Sequence, residues 1–176
     1  MGLQTSSWLA LDKRGVWIGV FFAVSVILMA IGAMVPVDPI EAEKTYEELQ
    51  IDLKYVATVP FIFGNNFMHC LIMFTPFFGP FYSAFIFFNT GTVIALIAVA
   101  RNVNVTLLFV FLFSSPHTWL ELFTYSLALS QSIFLASAIF KRRFKEETVR
   151  TCVIIAICAL ILLLAAIVEV ILISAS

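Results

Sequence analysis

Long apolar stretches separated by short polar segments dominate the chain. Three of them, residues 16–37, 81–100 and 149–173, are long enough to cross a membrane. The hydrocarbon layer is roughly 30 Å thick, and a helix rises about 1.5 Å per residue. A fourth stretch, 56–78, is equally long but contains Asn and His side chains, which favours a span that faces protein rather than lipid. The pattern therefore predicts at least four membrane-spanning helices.

A further apolar tract covers residues 105–140, which is too long for one ordinary span. Proline is poorly tolerated inside a helix but favoured in its first turn, and Ser115 is available as N-cap. We therefore predict that a helix over 116–140 begins at Pro116. Residues 105–113 are then too short to cross alone and are predicted to form a re-entrant or interfacial segment. One long kinked helix is the alternative.

Composition agrees with this pattern, since 62% of the residues are hydrophobic and only 12% are charged. Such a chain cannot cover a water-soluble surface, which excludes a soluble enzyme. The sequence thus predicts an all-α polytopic membrane protein with five spans, in a single membrane domain over residues 1–176. The main segment outside the membrane is an acidic loop, 38–55, in which a short surface helix capped by Asp38 is an alternative to a fully solvated loop.

Basic residues predict the orientation of the spans. In a five-span chain, seven of the ten Lys and Arg residues lie on one side of the membrane. They are Lys13, Arg14, Lys141, Arg142, Arg143, Lys145 and Arg150. Basic loops stay in the cytoplasm, so we expect a cell-membrane protein with a cytoplasmic N-terminus and an external C-terminus.

Seven polar side chains are predicted to lie within the spans, where each costs a few kcal/mol at the bilayer centre. They are Asn65, Asn66, His69, Asn89, His117, Glu121 and Glu169. A spacing of four residues puts Asn65 and His69 on one helix face. The same spacing relates His117 to Glu121. Because alternating spans bring all seven to the outer half of the bilayer, we predict one buried polar cluster. It either binds a ligand or holds the helices together.

Little in these residues indicates catalysis. The chain has no H-E-x-x-H zinc motif and no G-x-S-x-G serine motif, so an intramembrane hydrolase using His117 and Glu121 is the weakest alternative. Two histidines with Glu121 or Glu169 could bind a metal in principle, but we predict no metal and no cofactor. No nucleic-acid partner is predicted.

The segment 116–121, Pro-His-Thr-Trp-Leu-Glu, resembles the Pro-His-Gly-x-x-Glu motif of the stage II sporulation protein M family. Asn65-Asn66 and the Asn-Thr-Gly at 89–91 resemble the polar positions of that family's second and third helices in order and spacing. Thr118 stands where the family usually has glycine. The resemblance implies a membrane protein that, in spore formers, anchors and organises cell-wall remodelling enzymes. Most relatives occur in organisms that do not form spores, so a sporulation role is not carried over.

These observations predict a non-enzymatic envelope scaffold or assembly component. Its expected partners are the lipid bilayer, a second copy of the chain, and envelope or peripheral membrane proteins. Gly15 and Gly19 form a G-x-x-x-G that would permit close helix approach or homo-oligomerisation. The alternative is a permease-type transport subunit, in which the helix that begins at Pro116 points its N-terminus into the polar pocket.

Overall fold

The computed structural model describes residues 5–142 and 144–175, with the side chains of 5–12 and 52–56 excepted. Helices account for nearly all of this part of the chain. In order they are α1 (Thr5–Gly32), α2 (Pro39–Val56), α3 (Val59–Met73), α4 (Phe78–Ala100), α5 (Val105–Ser114), α6 (Pro116–Phe140) and α7 (Phe144–Ala175).

Four helical segments in the described residues are long and apolar enough to cross a membrane: Lys13–Gly32 within α1, and the whole of α4, α6 and α7. The predicted second span, 56–78, is represented by α3, which has only 15 residues. At about 1.5 Å per residue α3 is roughly 22 Å long, shorter than the hydrocarbon layer. The structure therefore has four full-length candidate spans, and the shorter apolar helix α3 lies where the second of the five spans was predicted.

The second span is shorter than predicted because the chain reverses immediately after Met73. Phe77 has a φ of 65° and precedes the first residue of α4. A Cβ on Gly79 would lie 2.1 Å from the Met73 carbonyl oxygen, so only glycine allows α4 to begin this close to α3. The sequence pattern predicted a break between residues 78 and 81, a few residues too late, because the residues on both sides of the turn are apolar.

The first span also differs from the prediction of 16–37, since α1 ends at Gly32. Pro36 cannot continue a helix, and the backbone leaves helical geometry before it. After Pro36 the chain turns into α2. There the Asp38 carboxylate accepts hydrogen bonds from the Ile40 and Glu41 backbone N–H groups at 2.9 and 3.2 Å. The predicted acidic loop is thus largely a capped helix, and it packs against α4.

Contacts between distant residues give the directions of the helices. Asn66 in the middle of α3 is bonded to Glu121 near the start of α6. Ser132, in the second half of α6, donates to the Thr75 carbonyl beyond the end of α3 at 2.9 Å. Helices α3 and α6 therefore run in parallel. Each is followed after a short turn by an antiparallel neighbour, α4 and α7 respectively.

Helix α1 runs antiparallel to α6, because Arg14 contacts Gln131 and Phe22 stacks on Trp119. Consequently α1, α4 and α7 begin at the end of the bundle that carries most of the basic residues, which we call the basic end. Helix α2 lies at the opposite end, called the α2 end. Five helices thus alternate in direction along the chain.

The closest helix crossing joins α1 and α4 at two glycines. A Cβ on Gly91 would lie 2.0 Å from the Met29 carbonyl oxygen, and one on Gly32 would lie 2.1 Å from that of Phe88. By contrast, nothing lies within 4 Å of a Cβ built on Gly15 or on Gly19. The G-x-x-x-G predicted to permit close approach therefore makes no such contact within this chain, and the packing uses other glycines.

Candidate functional site

A cavity of about 290 Å³ lies in the half of the bundle nearer the α2 end. Residues of α1, α3, α4, α6 and α7 enclose it, together with Leu112 of α5. Its polar lining consists of Asn65, Asn66, His69, Thr90, His117, Thr118, Glu121, Tyr125 and Glu169. Its apolar lining consists of Met29, Ile86, Phe87, Leu112 and Leu122. Six of the seven polar residues selected from the sequence thus meet around one space.

A second cavity, of about 220 Å³, adjoins the first. The two share Asn65, Asn66, Glu121 and Glu169 as lining residues. The second is also lined by Phe61 and other residues near the start of α3 and the end of α7. It therefore extends from the polar residues toward the α2 end.

Two hydrogen bonds tie polar residues of the larger cavity to other helices. Asn66 Nδ2 donates to Glu121 Oε1 at 2.6 Å, joining α3 to α6. His69 Nδ1 lies 2.6 Å from the Tyr82 hydroxyl, joining α3 to α4. The rings of His69 and Tyr82 are also in contact, with centroids 5.9 Å apart. These pairs fix the positions of Asn66, Glu121 and His69 on the cavity wall.

Other polar groups of the lining have no hydrogen-bond partner among the described residues. Thr118 is only 5% exposed, yet its Oγ1 is unpartnered. The same holds for the buried Nδ1 atom of His117. The exposed Asn65 side chain and the partly buried Glu169 side chain also form no hydrogen bond within the described part of the chain. Buried polar groups in folded proteins nearly always have partners, so the Thr118 and His117 atoms leave hydrogen-bonding capacity for water or a solute in the cavity.

Asn89 is the sequence-selected residue that does not line the cavity. Ile86, Phe87 and Thr90 give α4 its cavity face. At about 100° per residue, Asn89 lies roughly a quarter turn from the centre of that face. The Asn-Thr-Gly segment therefore contributes Thr90 to the cavity, while Gly91 serves the crossing with α1.

The chain leaves helical geometry at Ser115, between α5 and α6. Ser115 occupies the N-cap position of α6 but does not cap it, because its Oγ lies 3.4 Å from the Phe111 carbonyl oxygen of α5. The Trp119 indole N–H donates to the Phe113 carbonyl at 2.7 Å and holds the two helices together. As a result, the first turn of α6 presents His117 and Thr118 to the cavity.

Comparison with known protein families gives a match to one. The sequence profile described as Stage II sporulation protein M matches residues 18–172. The chain belongs to this family. The match includes every residue that lines the larger cavity, and it confirms the resemblance noted from the sequence. No curated protein and no solved structure matches the chain.

In this stage II sporulation protein M family member, a second polar group of residues lies at the basic end. The Arg14 guanidinium donates to the side chains of both Gln131 and Glu147. The Gln131 amide donates to Glu147 at 2.8 Å and to the Thr151 hydroxyl at 2.9 Å. Arg14 also lies 4.1 Å from the centre of the Phe134 ring. The network joins the starts of α1 and α7 to the second half of α6.

Sequence reasoning missed this network and two other polar positions of the family member, Thr118 and Tyr125. A glutamine side chain inside a span costs about as much free energy to insert as an asparagine. Gln131 could therefore have been selected on the same ground as Asn65. Arg14 was interpreted only as a basic residue that orients the first span, and Glu147 was not selected. Thr118 and Tyr125 carry hydroxyl groups, which are common in membrane helices and give a weak signal.

The histidines and carboxylates of the family member do not form a metal-ligand cluster in the described part of the chain. Among the residues that the structure describes, no three His, Cys, Asp or Glu side chains come together in a group that could hold a metal ion. The arrangement suits hydrogen bonding to a solute.

Proposed function

We propose that this family member is a permease-type membrane component that binds a small polar solute in the cavity and does not convert it chemically. The observation that carries the proposal is that the intramembrane polar residues surround open space with unpartnered Thr118 and His117 atoms. A cluster that only held helices together would bond its members to one another. In the described lining, only Asn66 and Glu121 are bonded to each other in this way, while His69 bonds to Tyr82 outside the lining.

The position of the cavity between an adjoining cavity and a packed layer supports a role in solute movement. Toward the α2 end it adjoins the second cavity. Toward the basic end, the helices pack tightly around residues that are at most 1% exposed: Cys70, Met73, Leu129, Cys158 and Leu162. The Arg14 network lies beyond them. A binding site in the membrane that is open to one side and closed to the other is what alternating access requires.

The proposed topology has five crossings, with the basic end in the cytoplasm. The alternating directions of α1, α3, α4, α6 and α7 support it. Helix α3 is too short for a full hydrocarbon layer, but it packs against α4, α6 and α7 and so is partly surrounded by protein. Helix α5 then forms the re-entrant or interfacial segment before α6. The basic residues at one end support a cytoplasmic N-terminus and an external C-terminus.

Cysteine labelling in nanodiscs tests the binding cavity. Asn65→Cys, in a Cys152→Ala background, places a thiol on the wall of both cavities without removing a hydrogen bond. We expect a water-soluble methanethiosulfonate reagent to modify it. Cys70 and Cys158 are 0% exposed and serve as unreactive internal controls. An introduced thiol that stays unmodified would mean that the space is dry, and the binding proposal would fail.

A second candidate function is envelope assembly, which helix α2 favours. Its Glu41, Glu43, Glu47 and Glu48 are exposed and form an acidic surface outside the bundle. Such a surface suits a basic segment of an envelope protein. Replacing all four with Gln should remove the chain from any larger complex on native gels of membrane extracts. Labelling of Asn65→Cys should be unaffected, which separates this role from solute binding.

A further inference from the structure

We propose that the solute bound in the cavity is a small organic cation, a protonated primary amine, with its ammonium group between Glu121 and Glu169 and its hydrocarbon part against the apolar wall. This inference rests on the proposed function. It adds the charge and the chemical class of the ligand, neither of which follows from the presence of a cavity.

The charge of the lining comes from two carboxylates. Glu121 and Glu169 reach the cavity from α6 and α7, and both also line the adjoining cavity. The larger cavity has no Lys or Arg among its described lining residues. In a medium of low dielectric constant, two ionised carboxylates without a counterion are costly, and a cation bound between them stabilises their charged forms. An anionic solute would add to that cost.

Hydrogen bonding also favours an ammonium group, which offers three donors and no acceptor. Glu169 has no donor bonded to its carboxylate among the described residues, while Glu121 uses one oxygen for Asn66. The unpartnered Oγ1 of Thr118 supplies a further acceptor on the same wall. The cavity therefore holds enough free acceptors for all three donors of one ammonium group.

The size and the apolar wall of the cavity favour an organic cation over an inorganic one. A volume of about 290 Å³ greatly exceeds that of one water molecule, which occupies about 30 Å³ in the liquid. Much of the lining, including Met29, Phe87 and Leu122, cannot coordinate an ion. Such an apolar surface binds the hydrocarbon part of a ligand, as it does in most small-molecule sites. An amine with a short hydrocarbon chain can contact the carboxylates with its ammonium group and the apolar residues with its chain.

The charge preference can be measured at the labelled cysteine. The Asn65→Cys protein in nanodiscs is treated with either of two reagents. Trimethylammonioethyl methanethiosulfonate is cationic, and sulfonatoethyl methanethiosulfonate is anionic. We expect the cationic reagent to react at least about tenfold faster, after correction for their rates with a free thiol. Glu169→Gln should reduce this ratio, whereas Glu146→Gln, which changes an exposed carboxylate of the same helix, should not.

Binding itself is tested by thermal unfolding of the unlabelled protein. Propylammonium chloride should raise the unfolding midpoint in a saturable way, and Glu169→Gln should abolish the effect. Sodium chloride at equal ionic strength, 1-propanol and sodium propionate are the matched probes. Equal stabilisation by sodium chloride would identify an inorganic cation, and stabilisation by propanol or propionate would identify a neutral or anionic ligand. Each of these outcomes overturns the proposal.

The two failures are distinguishable. If Asn65→Cys reacts with both reagents at similar corrected rates, the cavity is wet but does not select cations, and only this inference fails. If the thiol reacts with neither reagent, the proposed function fails with it. If the cationic reagent still reacts faster with the Asn65→Cys thiol after Glu169→Gln, the assignment of Glu169 is also overturned.

Discussion

Arg14 of α1 and Glu147 of α7 form an ion pair although they are 133 residues apart in sequence. Each side chain is only 13% exposed. Gln131 of α6 bonds to both residues, so three helices meet at this pair. The pair lies beyond the tightly packed layer under the cavity, and it ties the starts of α1 and α7 to α6 at the basic end.

Arg14→Gln should lower the free energy of unfolding by about 3 kcal/mol, because it removes the buried cationic partner of a mostly buried carboxylate. Arg150→Gln is the matched control. Arg150 also pairs with Glu147, at 3.4 Å, but its side chain is 58% exposed, so its loss should have little effect. Denaturation of both variants in detergent micelles checks this. Equal losses for the two would show that burial of the Arg14 pair adds nothing.

Gly91→Ala should push α1 and α4 apart, because the added Cβ would lie 2.0 Å from the Met29 carbonyl oxygen. We expect a loss of about 1 to 3 kcal/mol in the free energy of unfolding. Gly64→Ala is the control, since nothing lies within 4 Å of a Cβ at that position in α3. Alanine is also the better helix former, so the control should be neutral or slightly stabilising. A Gly91→Ala protein as stable as the control would contradict the close crossing.

Glu121→Gln and Glu121→Leu separate shape from charge in the cavity. Glutamine keeps an oxygen that can accept from Asn66, so stability should be preserved while the preference for a cation is reduced. Leucine leaves the Asn66 amide without a partner, which should cost about 1 to 3 kcal/mol. Glu169→Leu strands no partner among the described residues and should not show this loss. Thermal unfolding of the three variants decides whether the Asn66–Glu121 bond contributes to stability.

Topology can be tested with reporters that are active only in the cytoplasm. A fusion in the loop around 141–143 should be active, and a fusion after the C-terminus should be inactive. The short helix α3 makes this test informative. An active reporter at the C-terminus would mean that the number of crossings is even, so either α3 does not cross or α5 takes part in a further crossing.

Much of the helical organisation could be predicted from apolar runs and from proline. The helix that begins at Pro116 and ends at Phe140 has the predicted bounds, because proline and the basic residues mark its two ends. The position of the turn before α4 could not be predicted in the same way, and the predicted break at 79–80 falls too late. It lies within apolar sequence, and its conformation depends on the contact between Gly79 and Met73, which are brought together by packing.

For the cavity, the sequence indicated residue types and depth but not the direction of each side chain. Asn65 and Glu121 were selected because polar groups inside a membrane are costly, and both line the cavity. Asn89 was selected for the same reason, but it lies off the cavity face of α4. The rotation of α4 about its own axis is determined by packing, here by the Gly32–Gly91 crossing. A uniformly apolar helix has no periodic pattern of polar residues from which this rotation could be predicted.

The position of the cavity has a consequence for the electric field across the membrane in the proposed topology. There, water in the cavity would carry the external potential down to Glu121, so most of the voltage would fall across the packed layer below it. From Glu121 to Gln131 is ten residues of α6, or about 15 Å. A unit charge crossing this layer would gain or lose nearly all of the roughly 2.3 kcal/mol that a potential of about 100 mV supplies. In a cell with a negative interior, that energy favours inward movement of a cation from the cavity.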